Sequence, residues 1–123
     1  MSNYFSHDEI KCKCGCEQAP MDQEFMDKLN YLRSAYNKPM IVSSGYRCLN
    51  HPIEAKKAKP GAHASGKAID IAVSGADAVR LLYFALEFGF TGIGIQQKGS
   101  GRFIHLDICT ADDGFPRPTI WSY

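Results

Sequence analysis

Two short segments constrain the fold most. "KAIDIAV" (67–73) and "RFIHLDIC" (102–109) both alternate with the period of two that marks a strand with unlike faces. In the first, Ile69, Ile71 and Val73 share one side and Ala68, Asp70 and Ala72 the other. In the second, Ile104, Leu106 and Ile108 oppose Phe103, His105 and Asp107. Such strands call for a sheet whose apolar face is covered by helices while the opposite face carries polar groups. Two covers are present. "PMDQEFMDKLNYLRSAYNKP" (20–39) sets Phe25, Leu29, Leu32 and Tyr36 on one helical face, with Asp22 and Glu24 early, Lys38 late and Pro39 as a stop. "SGADAVRLLYFALEFG" (74–89) does the same through Ala78, Leu81, Leu82 and Ala85, extended by Phe84 and Phe88. Ser74 and Asp77 have the spacing of a capping box, and Gly89 is a natural C-terminal stop. "MIVSS" (40–44) and "FTGIGIQ" (90–96) add two strands, and "KGSG" (98–101) a turn. Residues 45–62 follow neither period and read as a long loop, of the kind that is usually functional or mobile. The tail "ADDGFPRPTIWSY" is expected to be irregular and to fold back over the molecule. The expected fold is α+β: a single compact domain over 1–123, with a small, mainly antiparallel sheet and two helices packed on it.

At 123 residues, 45% hydrophobic and 22% charged, the chain can bury a core without disulfide staples. Its formal charge of +1 argues against a nucleic-acid partner, which needs a clustered basic surface. The one basic run, "EAKKAKPG" (54–61), reads as a solvated loop. No apolar stretch approaches the ~18 residues of a membrane span. "MSNYFSHDEIKCK" lacks the basic-then-apolar order of a signal peptide, so synthesis in the cytoplasm is expected, with delivery by some other route. Five cysteines do not form a closed disulfide set. Cys12, Cys14 and Cys16 in "CKCGC" fit either reduced thiols on a tight turn or a structural zinc that also uses Cys48.

The polar faces of the two alternating strands carry the chemistry. Asp70 stands between two small alanines that leave space beside it, and His105 and Asp107 emerge side by side. If the strands are neighbours, Asp70 and His105 converge with His63 of "GAHASGKAID", where Gly66 lets the chain turn. Two imidazoles and a carboxylate are the ligand set of a catalytic Zn²⁺, whose fourth position is left for water. Mg²⁺ and Ca²⁺ prefer oxygen alone.

"VSSGYRCLNHP" (42–52), "HASGKAIDI" (63–71) and "GFTGIGIQ…FIHLDI" (89–108) together resemble the zinc D-Ala-D-Ala carboxypeptidase family. That family includes bacterial and phage peptidoglycan peptidases and, more distantly, the Hedgehog signalling domain. The resemblance implies a zinc metallopeptidase that cleaves a peptidoglycan stem-peptide bond involving a D-amino acid, as a carboxypeptidase or endopeptidase. It makes His63, Asp70 and His105 the zinc ligands and Arg47 the cation that binds a substrate carbonyl or carboxylate. Many members carry an acidic general base three residues before the last histidine ligand, where this chain has Arg102. A subgroup of cell-wall endopeptidases reads His-x-Asp there, as "HLD" does, which makes Asp107 the candidate base or a partner orienting a ligand. Loop 45–62 and the tail around Trp121 are expected to line the groove. A monomeric phage endolysin is implied, released to the cell wall through a holin or carried in a virion. The alternative is an inactive zinc-containing wall-binding or virion protein.

Overall fold

The structure, a computed structural model, describes residues 4–13, 16, 20–48 and 61–123. Among the described residues three helices and five strands follow one another: α1 (His7–Ile10), α2 (Gln23–Tyr36), β1 (Ile41–Ser44), β2 (Ala68–Ala72), α3 (Gly75–Glu87), β3 (Gly92–Gln96), β4 (Phe103–Asp107) and β5 (Thr119–Ser122). Single 3₁₀ turns lie at Ala62–Ser65 and Ala111–Asp113. The class is α+β, as the alternation requires. The readings placed on Cys14, on residues 49–60 of the long loop and on most of the basic run 54–61 lie outside the described residues.

The sheet order is β1-β2-β4-β3-β5. Its first three pairings are antiparallel, and β5 joins β3 in parallel. The apolar sides of β2, β3 and β4 present Ile69, Ile71, Ile93, Ile104 and Leu106, all buried, to the inner faces of α2 and α3. From α2 come Phe25, Leu29, Leu32 and Tyr36, and from α3 Ala78, Leu81 and Ala85, the residues whose helical spacing marks them. Asp22 caps α2 by accepting the Phe25 amide at 3.0 Å, and Asn37 closes it in the left-handed conformation at φ 57°.

Three details differ from the expectation. The tail is not wholly irregular, because Thr119–Ser122 forms the fifth strand. A one-turn helix, α1, precedes the cysteines, held by a capping box between Ser6 and Glu9. The capping box read at Ser74 is absent, since Ser74 is the N-cap residue but makes no side-chain cap bond. Asp77 instead accepts from Lys38 Nζ at 2.8 Å, drawn outward by the cation that follows α2. No helix among the described residues is long and apolar enough to cross a membrane.

Candidate metal centre

Register decides what meets on the polar face. Ser44, Asp70, His105, Gly94 and Trp121 occupy one row across the five strands. Ala68, Asp107, Gly92 and Thr119 form the next row across β2, β4, β3 and β5. Asp70 and His105 are therefore direct cross-strand neighbours. The third group arrives from the 3₁₀ turn before β2, which Gly66 ends at φ +77°. There the His63 ring reaches over β2.

His63 Nε2 and His105 Nδ1 lie 3.1 and 3.0 Å from the same oxygen, Asp70 Oδ1. One donor atom from each of the three residues falls within 4.8 Å of the others. All three side chains are buried. The far nitrogens are already committed. His63 Nδ1 donates to Gly45 O at 2.7 Å, and His105 Nε2 to Asp107 Oδ2 at 2.7 Å. With one proton on each ring, the nitrogens that face Asp70 carry lone pairs. Two lone pairs and an anionic oxygen converging on one point repel each other unless positive charge sits among them. The donor set thus fits a divalent cation, and two imidazoles with one carboxylate suit Zn²⁺.

The titration behaviour has the same origin. Burial alone would raise the Asp70 pKa, but in the metal-free pocket protons taken up on the facing nitrogens of His105 and His63 bond to the carboxylate and hold it well below its ordinary range. Burial would lower the His105 pKa, yet Asp107 and Asp70 together raise it. The pocket draws positive charge, as a metal ion or as a proton.

Asp107 is fully buried and stands behind His105. Its Oδ2 accepts from His105 Nε2 and, at 2.7 Å, from Arg117 Nη2. Its Oδ1 accepts from Arg117 Nε at 3.0 Å and from the Cys109 amide at 3.1 Å. Four donors occupy the four lone-pair directions of the carboxylate. Burial would raise its pKa, but the bonds from His105 and Arg117 prevail and hold it at about 2.

Arg47 reaches the same place from the segment after β1, with Nη2 3.7 Å from Asp70 Oδ2 and Nε donating to Ser44 Oγ at 3.1 Å. A cavity of about 590 Å³ opens above the three convergent groups, walled by Arg47, Phe103, Phe115, Arg117, Trp121 and Tyr123. Trp121 stands beside the His105 ring, centroids 5.0 Å apart, and the Arg117 guanidinium lies 5.1 Å from the Trp121 ring centre. The tail thus lines the groove. Arg102 does not line this cavity; it is exposed and donates to Gly99 O.

Sequence reasoning missed Arg117 and the purpose of the glycines in "GIGI". A Cβ on Gly92 would overlap the Asp107 carboxylate, and one on Gly94 would stand 2.6 Å from Trp121 Nε1. Glycines two apart in a strand are the readable signal, because they clear one face of the sheet for groups from its neighbours. Arg117 left no such signal, since its importance comes from where β5 docks.

The profile of the family described as Peptidase M15 matches residues 3–107. No curated protein matches the chain.

Proposed function

Because the chain belongs to the Peptidase M15 family, the zinc D-Ala-D-Ala carboxypeptidase type, we propose that it is a zinc peptidase that hydrolyses a bond in the stem peptides of peptidoglycan. The observation that carries this reading is the convergence of His63 Nε2, His105 Nδ1 and Asp70 Oδ1, with both far imidazole nitrogens already donating elsewhere. These three groups would hold the ion. A bound zinc supplies a Lewis acid and a water acidified to a pKa near ~7.

The remaining roles belong to the chain's own side chains. Arg47, beside Asp70 at the cavity wall, binds the substrate's carbonyl or carboxylate and stabilises negative charge as it develops there. Asp107 acts through His105: it fixes the tautomer that presents Nδ1 to the site and raises that nitrogen's basicity. Of the two roles open to it, this one is favoured over general base because all four of its lone-pair directions are filled. Trp121 and Phe115 offer apolar walls to the stem peptide. The finer reading adds a D-residue at the scissile bond, an endolysin or virion setting and a monomeric state.

One observation favours a second reading, a zinc-containing wall-binding protein without activity. Among the described residues lining the cavity, Asp70 is the sole carboxylate, and Arg102 stands where many members of the resembled family carry an acidic base. One experiment separates the two. Purified peptidoglycan is incubated with the zinc-loaded protein or with His63→Ala, and the products are analysed by mass spectrometry. New stem-peptide fragments that vanish with His63→Ala support the peptidase and identify the bond. Zinc binding and sedimentation with the wall material, with no fragments, would establish the binding protein.

A further inference from the structure

A second group of metal-ligating side chains lies apart from the first. Cys12 stands two residues after α1, and Cys48 follows Arg47 in the segment that runs on from β1. Two contacts bring these segments together. The Tyr46 amide donates to Ile10 O at 2.9 Å, and Gly45 passes so close that a Cβ would stand 2.8 Å from Ile10 Cα. As a result Cys12 Sγ and Cys48 Sγ are 3.6 Å apart, and the sulfur of Cys16 lies within 4.8 Å of both. The Cys48 amide donates to Cys12 Sγ at 3.3 Å.

We propose that Cys12, Cys16 and Cys48 form a second, structural zinc centre that fastens α1 to the segment carrying Arg47. Three features support a metal over a disulfide or a simple thiol contact. Zn–S bonds of about 2.3 Å at a tetrahedral ion set sulfurs roughly 3.8 Å apart, close to the Cys12–Cys48 spacing and far from the ~2.05 Å of a disulfide. A disulfide would also leave one of the three thiols over, whereas one ion takes all three as thiolates and releases their protons to solvent. The Cys48 amide supplies a hydrogen bond to sulfur, which favours the thiolate. The fourth position of the ion is left to a further donor. Soft thiolates select zinc over the oxygen-seeking cations.

Cys16 makes the test decisive, because it is exposed where Cys12 and Cys48 are buried. Burial protects the latter two from alkylation with or without metal, but a metal bond is needed to protect Cys16. The whole unmodified chain, reduced and loaded with zinc, is treated with iodoacetamide and each cysteine is read by peptide mass spectrometry. We expect Cys16 to react roughly tenfold or more slowly than after chelator treatment, with no reductant needed to expose it. Equal rates with and without zinc would overturn the proposal, as would protection that only a reductant lifts. Zinc analysis separates this centre from the His–Asp–His site. The parent binds about two equivalents, and Cys12→Ser/Cys48→Ser and His63→Ala/His105→Ala each keep about one. Loss of zinc by the histidine variant alone, down to none, also rules the second centre out. Cobalt in place of zinc checks any variant that folds poorly, since thiolate-to-cobalt charge-transfer absorption by the unmodified chain needs no substitution. Absence of that absorption counts against the centre.

Discussion

At the scale of single residues, the site is governed by which atom holds each proton. Gly45 O and Asp107 each take an imidazole N–H, and this turns the other nitrogens toward Asp70. Asparagine in place of Asp107 still offers an oxygen to His105 but loses the charge that raises the ring's basicity. Asp107→Asn should therefore bind zinc about 10–100-fold more weakly at the histidine site, measured by chelator competition, and Asp107→Ala more weakly still. Unchanged affinity in both variants would end the orienting role assigned to Asp107. The same carboxylate governs acid stability of the metal-free protein. Its folded pKa of about 2 lies below the ordinary value of ~3.9, so its contribution is complete above about pH 4 and is lost as pH falls through about 2. Acid titration followed by circular dichroism should show this component in the parent and not in Asp107→Asn.

At the scale of elements, β3 shows how a strand can serve its neighbours by what it omits. Its apolar side, Ile93 and Ile95, packs into the core, while Gly92 and Gly94 leave the other side bare. Gly92→Ala puts a methyl group into the Asp107 carboxylate, so His105 loses its support or the sheet shifts. The expected cost is about 1–3 kcal/mol of stability together with weaker zinc binding, read by denaturant unfolding and chelator competition. An unperturbed Gly92→Ala protein would show that β4 moves freely, against the close approach of Gly92 to the Asp107 carboxylate. Elements also mark where sequence reading succeeds. The two alternating strands and the spacing of Phe25, Leu29, Leu32 and Tyr36 were legible because each pattern repeats within one element. The pairing of Asp70 with His105, conditional on neighbouring strands, followed from the same alternation. β5 was not legible: four residues following two prolines carry a weak pattern, and its parallel partner is β3, far back in the chain. The Ser74–Asp77 spacing misled for a related reason, because a distant lysine offered Asp77 a better partner than the local amide.

At the scale of the whole molecule, the convergent groups come from a 3₁₀ turn, an inner strand and its neighbour, so an ion held by them ties the molecule across its sheet. An ion that binds the folded state alone stabilises it by mass action, about 4 kcal/mol at a thousandfold excess over Kd. For a chain of this size that raises Tm by on the order of 10–20 °C. Calorimetry with and without zinc should show the rise, and the part due to this site should be missing from His63→Ala. An equal zinc response in that variant would place the stabilising ion elsewhere.

The order of the chain gives the groove two sides of different origin. His63, Asp70 and His105 come from the turn before β2, from β2 and from β4, whereas Phe115, Arg117, Trp121 and Tyr123 come from the segment after β4. The two sides are clasped where Arg117 grips Asp107 with two hydrogen bonds. A change that opens this clasp therefore disturbs the wall and the support of His105 in one stroke.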